Sequence, residues 1–362
     1  MSNKETISDR EGICLVILFI SGSSLALPTA GDAGRDLWLA IIIAIIIAIP
    51  ILLLYSKLLS LYPGKDLFDI LVMIFGRFLG KIIGILYIWF SFHLGALVIR
   101  DFGEFPITVS IPETPIIAPM LLVVILSIWI VKEGIEVLGR WAKLFLLFNA
   151  PLPSILILLL ISQMDIGNIQ PVLYEGIKPL LKGTFSAFSF PFAETVVFTM
   201  ILSSLKTKKS PYKIYIKGLL LGGMLIAGVS LAEILVIGPD LYAVTFFPNH
   251  SVARKVHIGQ MLSRMEVIVI LATITAAFLK VSVCLLAVCR GIMKLFRLNN
   301  YRFLVAPIGL LMLLLSIIIH KNIIEMFEWN SAVWAYYAFP FQVIIPIMAL
   351  IMIRIKKIKI NQ

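Results

Sequence analysis

Ten apolar runs, each about 16–23 residues long, follow one another along the 362-residue chain. They are Gly12–Thr29, Trp38–Leu59, Ile82–Ile99, Ile116–Val131, Leu144–Ser162, Thr184–Leu205, Gly218–Gly238, Val267–Cys289, Phe303–Ile319 and Ala335–Ile353. Each is close to the length a helix needs to cross about 30 Å of hydrocarbon at 1.5 Å per residue. Lipid leaves backbone groups no outside partner, so only helices or a closed barrel can span it. No ten-residue alternating segments suggest a barrel, so the runs read as ten transmembrane helices. Composition agrees: 60% of residues are hydrophobic and 14% charged, against about 25% charged in a soluble domain. A soluble domain and a disordered chain are both excluded, and the chain reads as one polytopic membrane domain over 1–362.

The net charge of +11 would suit a nucleic-acid binder, but the basic residues sit in short clusters between apolar runs, where they set topology. The loops on one side, with both termini, hold 22 Lys and Arg, and the opposite loops hold 8. This bias places both termini in the cytoplasm, and the basic clusters are suited to anionic lipid. No nucleic-acid partner is expected. The first eleven residues contain Glu5, Asp9 and Glu11 and lack a signal-peptide pattern, so the first run is expected to remain as a span. Cys14, Cys284 and Cys289 lie inside apolar runs with no disulfide or metal spacing. Trp38, Trp141 and Trp334 sit at span ends, as interfacial anchors do.

Between the spans, Asp66–Lys81 carries apolar residues at helical spacing and reads as the cytoplasmic start of the third helix. The outer stretch Asp240–Arg264 mixes aromatics, Pro248 and basic residues, and would suit a short surface helix capping a vestibule.

Two spans carry breaks at corresponding places. The first contains Ser21-Gly22-Ser23-Ser24 and then Pro28, with Gly22 roughly 15 Å deep. The sixth contains Ser186 and then Phe188-Ser189-Phe190-Pro191-Phe192-Ala193-Glu194. Five spans separate them, so the halves (about 12–162 and 184–353) run in opposite senses. Broken helices in matching positions of inverted halves point to a small-ligand site, whose half-helix N-termini favour a carboxylate. The plainer reading is that Gly and Pro are frequent in membrane helices and merely kink them.

Glu194, Glu233 and Lys280 lie within spans, where a charge costs at least about 2.5–3.5 kcal/mol and normally has a partner or faces water. Glu194 and Lys280 are candidates for a pair. Lys280 then reads either as a fixed charge where a coupled cation would sit or as a structural ion pair. Glu233, near an outer end, is explained by snorkelling or a wet vestibule. Ser21, Ser23, Ser24, His93, Asn149 and Thr195 are candidates to line the same cavity, or to bond helix to helix. His93 has no second His near it in sequence, so no metal site is expected, and no catalytic motif or cofactor signature is present.

Several short motifs then carry a resemblance over nearly the whole length. They are Gly22-Ser23, Leu27-Pro28, Asp36-Leu37-Trp38-Leu39, Arg100-Asp101-Phe102 and Ile111-Pro112-Glu113-Thr114-Pro115. They continue with Gly134-Ile135-Glu136 and Arg140, Pro171, Gly176 and Pro179, then Phe190-Pro191-Phe192-Ala193-Glu194, the most distinctive. Phe247-Pro248, Arg264-Met265-Glu266 and Phe278-Leu279-Lys280 complete the set. In order and spacing the chain resembles the B-subunit family of bacterial spore germinant receptors, a branch of the amino acid–polyamine–organocation transporter superfamily. It departs at Glu11, where the family often has Gln, and at Ala193, where it often has Gly. The resemblance implies a five-plus-five inverted-repeat fold like that of the leucine transporter. It implies a complex with an A subunit and a lipoprotein C subunit in the inner spore membrane, and germination triggered by a small nutrient, commonly an amino acid. Carried over by position, the ligand cradle is Gly22, Ser23 and Ser24 with Phe188, Ser189, Phe190 and Pro191, and Lys280 lies on the eighth helix. A secondary transporter of amino acids or related solutes is the alternative.

Overall fold

The first helix starts at a capping box. Ser8 Oγ accepts from the Glu11 backbone N–H, and the Glu11 carboxylate accepts from the Ser8 N–H at 2.9 Å. From there the computed structural model, which describes residues 5–203, 205, 207–255 and 265–356, is built from helices with no strand longer than an isolated bridge among those residues.

In chain order the helices are α1 (Asp9–Ser24), α2 (Leu37–Leu61), α3 (Leu67–Phe75), α4 (Arg77–Val109), α5 (Ile117–Glu133), α6 (Ile135–Asn149) and α7 (Pro151–Leu160). They continue as α8 (Ile177–Ala187), α9 (Ser210–Val244), α10 (Pro248–Ala253), α11 (Met265–Phe296), α12 (Arg302–Ile318), α13 (Ile323–Ala332), α14 (Trp334–Phe339) and α15 (Ile345–Ile355). Among the described residues, six stretches are long and apolar enough to cross a membrane: Gly31–Leu61, Arg77–Val109, Ile135–Gln163, Ser210–Val244, Val269–Phe296 and Trp334–Ile355. A seventh is α12 with α13, bent by 100°. Ile46, Leu122, Leu158, Met224 and Leu314 are among the large apolar side chains left exposed on the outer faces. Such a belt suits lipid rather than water.

The bundle has a basic end and an opposite end. At the basic end, Arg290 donates to Glu5 Oε2 at 2.7 Å and to the Ile201 carbonyl at 2.7 Å, and Tyr301 donates to Glu5 at 3.0 Å. Burial, then the Glu5 charge, push the Tyr301 hydroxyl up to about 12, so it stays a donor. Lys294 pairs with Asp69 at 2.7 Å, and Lys356 donates to the Ile74 carbonyl at 2.8 Å. These contacts tie residues 5–8 to the ends of α11 and α12, and α3 to α11 and α15.

Several sequence expectations shift here. Asp66–Lys81 is the start of the third helix only from Arg77 on: Leu67–Phe75 is the separate amphipathic helix α3, turned back at Gly76 (φ +83°) to lie on α4. The turn needs a residue tolerant of positive φ, and Gly80 lets the two backbones meet, since a Cβ there would lie 2.6 Å from the Leu71 carbonyl oxygen. Arg100 and Asp101 do not lie in a loop. The third span runs on to Val109, because Arg100 is neutralised by Glu104 at 2.7 Å, one turn on, and donates to the Ile317 carbonyl. Of the outer stretch after Asp240, the described part does contain a short helix, but a buried one rather than a surface cap. It finishes α9 and then makes α10, whose Asn249 and His250 are buried; 256–264, including Arg264, lie outside the described residues. Trp334 is buried among Phe90, Trp329 and Tyr337 rather than anchoring an interface. Glu233 is buried within α9 and does not snorkel.

Candidate functional site

α1 runs unbroken through Gly22 and Ser23 and stops at Ser24. The N–H groups of Leu25, Ala26 and Leu27 fold back onto the carbonyls of Ser21 and Ser23, closing the helix end. The chain then turns through Ala30 into Gly31–Asp36, two tight helical turns joined by a kink at Gly34 (φ +54°), and on into α2. The break therefore lies after the serines, not at Gly22, and its freed groups are bonded by the second half of the chain. Asn249 donates to the Leu25 carbonyl at 3.1 Å, and Tyr242 donates to the Thr29 carbonyl at 3.4 Å.

The sixth span breaks inside the expected motif. α8 gives way to a wide π-type turn over Phe188–Phe192, with Phe190 out of helical geometry (φ −130°, ψ 114°), and resumes as a tight helix over Ala193–Met200. Gln342, itself in a π-type turn, braces this break. Its amide donates to the Ser189 carbonyl at 2.9 Å and accepts from Ser189 Oγ at 3.0 Å.

Between the two breaks lies a cavity of about 440 Å³, within the range of small-molecule pockets. Ser23, Leu27 and Pro28 form one wall, and Ser186, Phe190 and Glu194 another. Leu94, Leu97, Val98 and Asp101 of α4 form a third, and the end of α9 from Tyr242 to Phe246 a fourth. α13 crosses the mouth with Phe327, Glu328, Asn330 and Ser331, and Trp334 follows it. Asp32 lies at the rim, paired with Lys182 of α8 at 2.8 Å. The cavity thus belongs to the end of the bundle opposite the basic one.

Lys280 and Glu194, of which sequence shows only that both are intramembrane, meet at the cavity base. Nζ donates to Oε2 at 2.5 Å, with the side chains 0% and 1% exposed. The ammonium also sits 5.0 Å from the ring centres of Phe19 and Phe190, so its remaining face is covered by π density. Gly22 makes this packing fit: a Cβ there would lie 3.3 Å from the Ala276 carbonyl and 3.4 Å from Lys280 Cδ.

Of the seven expected cradle residues, Ser23 and Phe190 line the cavity. Gly22 lies behind it, Ser189 is engaged by Gln342, and Ser24, Phe188 and Pro191 are buried without lining it. Among the other polar candidates, Ser21 bonds to the Leu18 carbonyl and Thr195 to the Phe192 carbonyl. Asn149 bonds to Phe145 and Thr275. His93 is boxed by Trp89, Trp329 and Tyr337. No cluster of three or more metal-ligating side chains occurs among the described residues. The residue the sequence reading missed is Asp101. Its position beside Arg100 ended the apolar run and suggested a loop; the i,i+4 partner Glu104 was the signal that the helix continues.

Four polar atoms of the cavity-lining residues are buried with no hydrogen-bond partner among the described residues: Ser23 Oγ, Asp101 Oδ1, Glu194 Oε1 and Trp334 Nε1. Buried groups of this kind are normally satisfied, and here all four belong to residues lining one space large enough for a ligand.

A sequence profile of the family described as "Spore germination protein" matches residues 6–324. The chain belongs to the spore germination protein family. It is 34% identical to spore germination protein KB of Bacillus subtilis (strain 168) over 360 residues, 98% of this chain and 96% of that one. It is 26% identical to the putative spore germination protein YfkT of the same organism, over 83% of this chain and 82% of the relative. Among solved structures, similar folds are found in Mhp1, a nucleobase-cation-symport-1 family transporter, and in MhsT in complex with L-phenylalanine. For Mhp1 the TM-score is 0.63 at 13% identity, covering 94% of this chain and 77% of that one. For MhsT it is 0.58 at 16%, covering 97% and 99%. The likeness gives this germination-family chain an integral-membrane, transporter-type helical fold.

Proposed function

We propose that this chain is the nutrient-sensing membrane subunit of a spore germinant receptor. It binds a small nutrient of the amino acid class between the end of α1 and the broken sixth span, and triggers germination with its partner subunits. The observation that carries the reading is the cavity of about 440 Å³ with four unpartnered buried polar atoms on its lining residues, in a member of the spore germination protein family. Ten spans in two inverted halves of one domain fit the helices. α1, α2, α4, α5 and α6–α7 make the first half (about 12–162). α8 with its continuation, α9, α11, α12 and α14–α15 make the second (about 184–353). The basic end is assigned to the cytoplasm with both termini, on the distribution of Lys and Arg. The inner spore membrane is the location and the receptor's A subunit and C lipoprotein are the partners, on family resemblance; no enzymatic role is assigned.

A nutrient acts here by binding one arrangement of the bundle more tightly than another. About 2.7 kcal/mol of differential affinity shifts the balance about a hundredfold. The partner subunits read that shift.

The test is made in spores of the source organism. Deleting the gene should abolish the release of small-molecule stores triggered by one nutrient, while labelled uptake of that nutrient by vegetative cells is unchanged. Normal release with reduced uptake would instead favour a secondary transporter, the second reading, to which the transporter-type fold lends support.

A further inference from the structure

The cavity wall is acidic in a chain whose net charge is +11. Asp32, Asp101, Glu194 and Glu328 line it, against Lys280 as the one basic side chain among the described lining residues. Asp32 has its counter-ion in Lys182, and Glu194 has Lys280. Asp101 makes no ion pair among the described residues: it is 4% exposed, Asn330 is the side chain that offers it a hydrogen bond, Oδ1 stays unpartnered, and neighbouring Arg100 is engaged by Glu104 and by carbonyls of α12.

An anionic group entering this space finds one unpartnered donor-only group, the Trp334 indole N–H, against two carboxylates with a free oxygen. The Lys280 ammonium is already bonded to Glu194 and covered by two aromatic rings. The helix-end N–H groups that would make an anion cradle at the first break are bonded to the Ser21 and Ser23 carbonyls. Of the other unpartnered atoms, Asp101 Oδ1 and Glu194 Oε1 are carboxylate acceptors and Ser23 Oγ is able to accept as well. Phe190, Phe327 and Trp334 add aromatic rings to the same walls. Acceptors with a buried carboxylate, beside aromatic rings, form the recognition surface of an ammonium group.

We infer that Asp101 is the ligand-recognition residue of this cavity and seats the protonated amine of the nutrient, so that the amine, and not a carboxylate, is the group the site requires. The inference rests on the reading of the cavity as the nutrient site. The amine accepts from no one; it donates to Asp101 Oδ1, with Glu194 Oε1 and Ser23 Oγ as further acceptors, and offsets the cost of holding a carboxylate away from water. The ligand's apolar part lies toward Leu94, Leu97 and Val98 one to two turns away on the same helix.

The test uses the purified full chain in lipid nanodiscs, with binding read from intrinsic tryptophan fluorescence, Trp334 being on the wall, and checked by calorimetry. Three series are compared: the twenty L-amino acids, their carboxamides, which keep the amine and lose the acid, and α-hydroxy acids, which keep the acid and lose the amine. The amino acid that binds is expected to have a carboxamide of affinity within about threefold and a hydroxy acid about a hundredfold weaker. Asp101→Asn should weaken the amine ligands by about a hundredfold and leave the hydroxy acid unchanged. The comparison on the unmodified protein stands even if that variant fails to fold. A hydroxy acid that binds as well as its amino acid overturns the inference. So does binding confined to a neutral polyol such as glucose; that result leaves the germinant-receptor reading intact, whereas unaltered germination in the deletion strain removes the receptor reading whatever the chemistry of the ligand.

Discussion

Replacing Lys280 by Met while Glu194 stays in place leaves a carboxylate 1% exposed with its partner gone. The ion pair is short, wholly removed from solvent and roofed by two aromatic rings. Breaking a buried pair of this kind costs about 3–5 kcal/mol, nearly all of it the uncompensated charge left behind. Glu194→Met should cost a similar amount, because it strands the ammonium. The double variant removes both charges and leaves two flexible apolar side chains of similar length, so it should recover most of the loss, to within about 1 kcal/mol of the parent. The four proteins form a thermodynamic cycle whose coupling term is expected to be several kcal/mol and favourable. Thermal unfolding in detergent, followed by loss of the monodisperse peak on size exclusion, provides the readout. A double variant as unstable as the two single losses combined would show that the charges do not meet, and would refute the placement of both at the cavity base.

Further expectations follow from neighbouring contacts. Gly22→Leu should abolish the nutrient response in spores while membrane abundance, judged by immunoblot, is preserved, because the new side chain must displace Lys280 Cδ and the Ala276 carbonyl. Gly80→Val should destabilise the protein by about 1–3 kcal/mol in thermal unfolding, since its Cβ meets backbone of α3 rather than a movable side chain. Arg290→Met should free residues 5–8 for proteolysis, read by limited digestion from the N-terminus, while Arg302→Met should change little, its 3.5 Å contact with Glu5 being half exposed. Burial, then the charge of Asp69, raise the Asp66 carboxyl above the ordinary range, so the folded state holds its proton longer than the unfolded chain. Stability contributed by that proton is present at low pH and falls as pH rises through the interval between the two values. Asp66→Asn, which can still cap α3, should flatten that fall in a series of melting curves across pH 4–7.

The parts of the fold that sequence reveals are those with a period or a cost. Apolar length marked the membrane-capable helices, and the expense of an intramembrane charge singled out Glu194 and Lys280 before their contact was visible. The Phe190-Pro191 break was legible because proline cannot continue a helical hydrogen-bond ladder. The first break was misplaced by a few residues because Gly22 serves a close helix approach, not an unwinding, and nothing local distinguishes the two uses of glycine. Ser189 looked like a ligand contact, yet its partner is Gln342, 153 positions away. Asp101 was hidden for the opposite reason: its neighbour Arg100 mimicked a loop, although one helical turn later Glu104 neutralises it. Side-chain direction around a cavity depends on packing between distant segments, and hydropathy does not carry it.

The inner piece of the sixth span, Ala193–Met200, is riveted to α11 at two heights. Glu194 is held by Lys280 near its start, and the Ile201 carbonyl is held by Arg290 just beyond its finish. Ten residues of continuous α-helix separate the two rivets, a rise of about 15 Å. Two fixed points make the segment and α11 a single beam, and the second rivet also grips Glu5. A tilt of the beam by 5° about its upper rivet carries the lower one sideways by roughly 1 Å over that span, at the point where the chain's first described residues are clamped. A small adjustment around a seated nutrient thus has a mechanical outlet at the far end of the bundle, through a lever whose stiffness is set by a salt bridge, a guanidinium–carbonyl hydrogen bond and an unbroken helix.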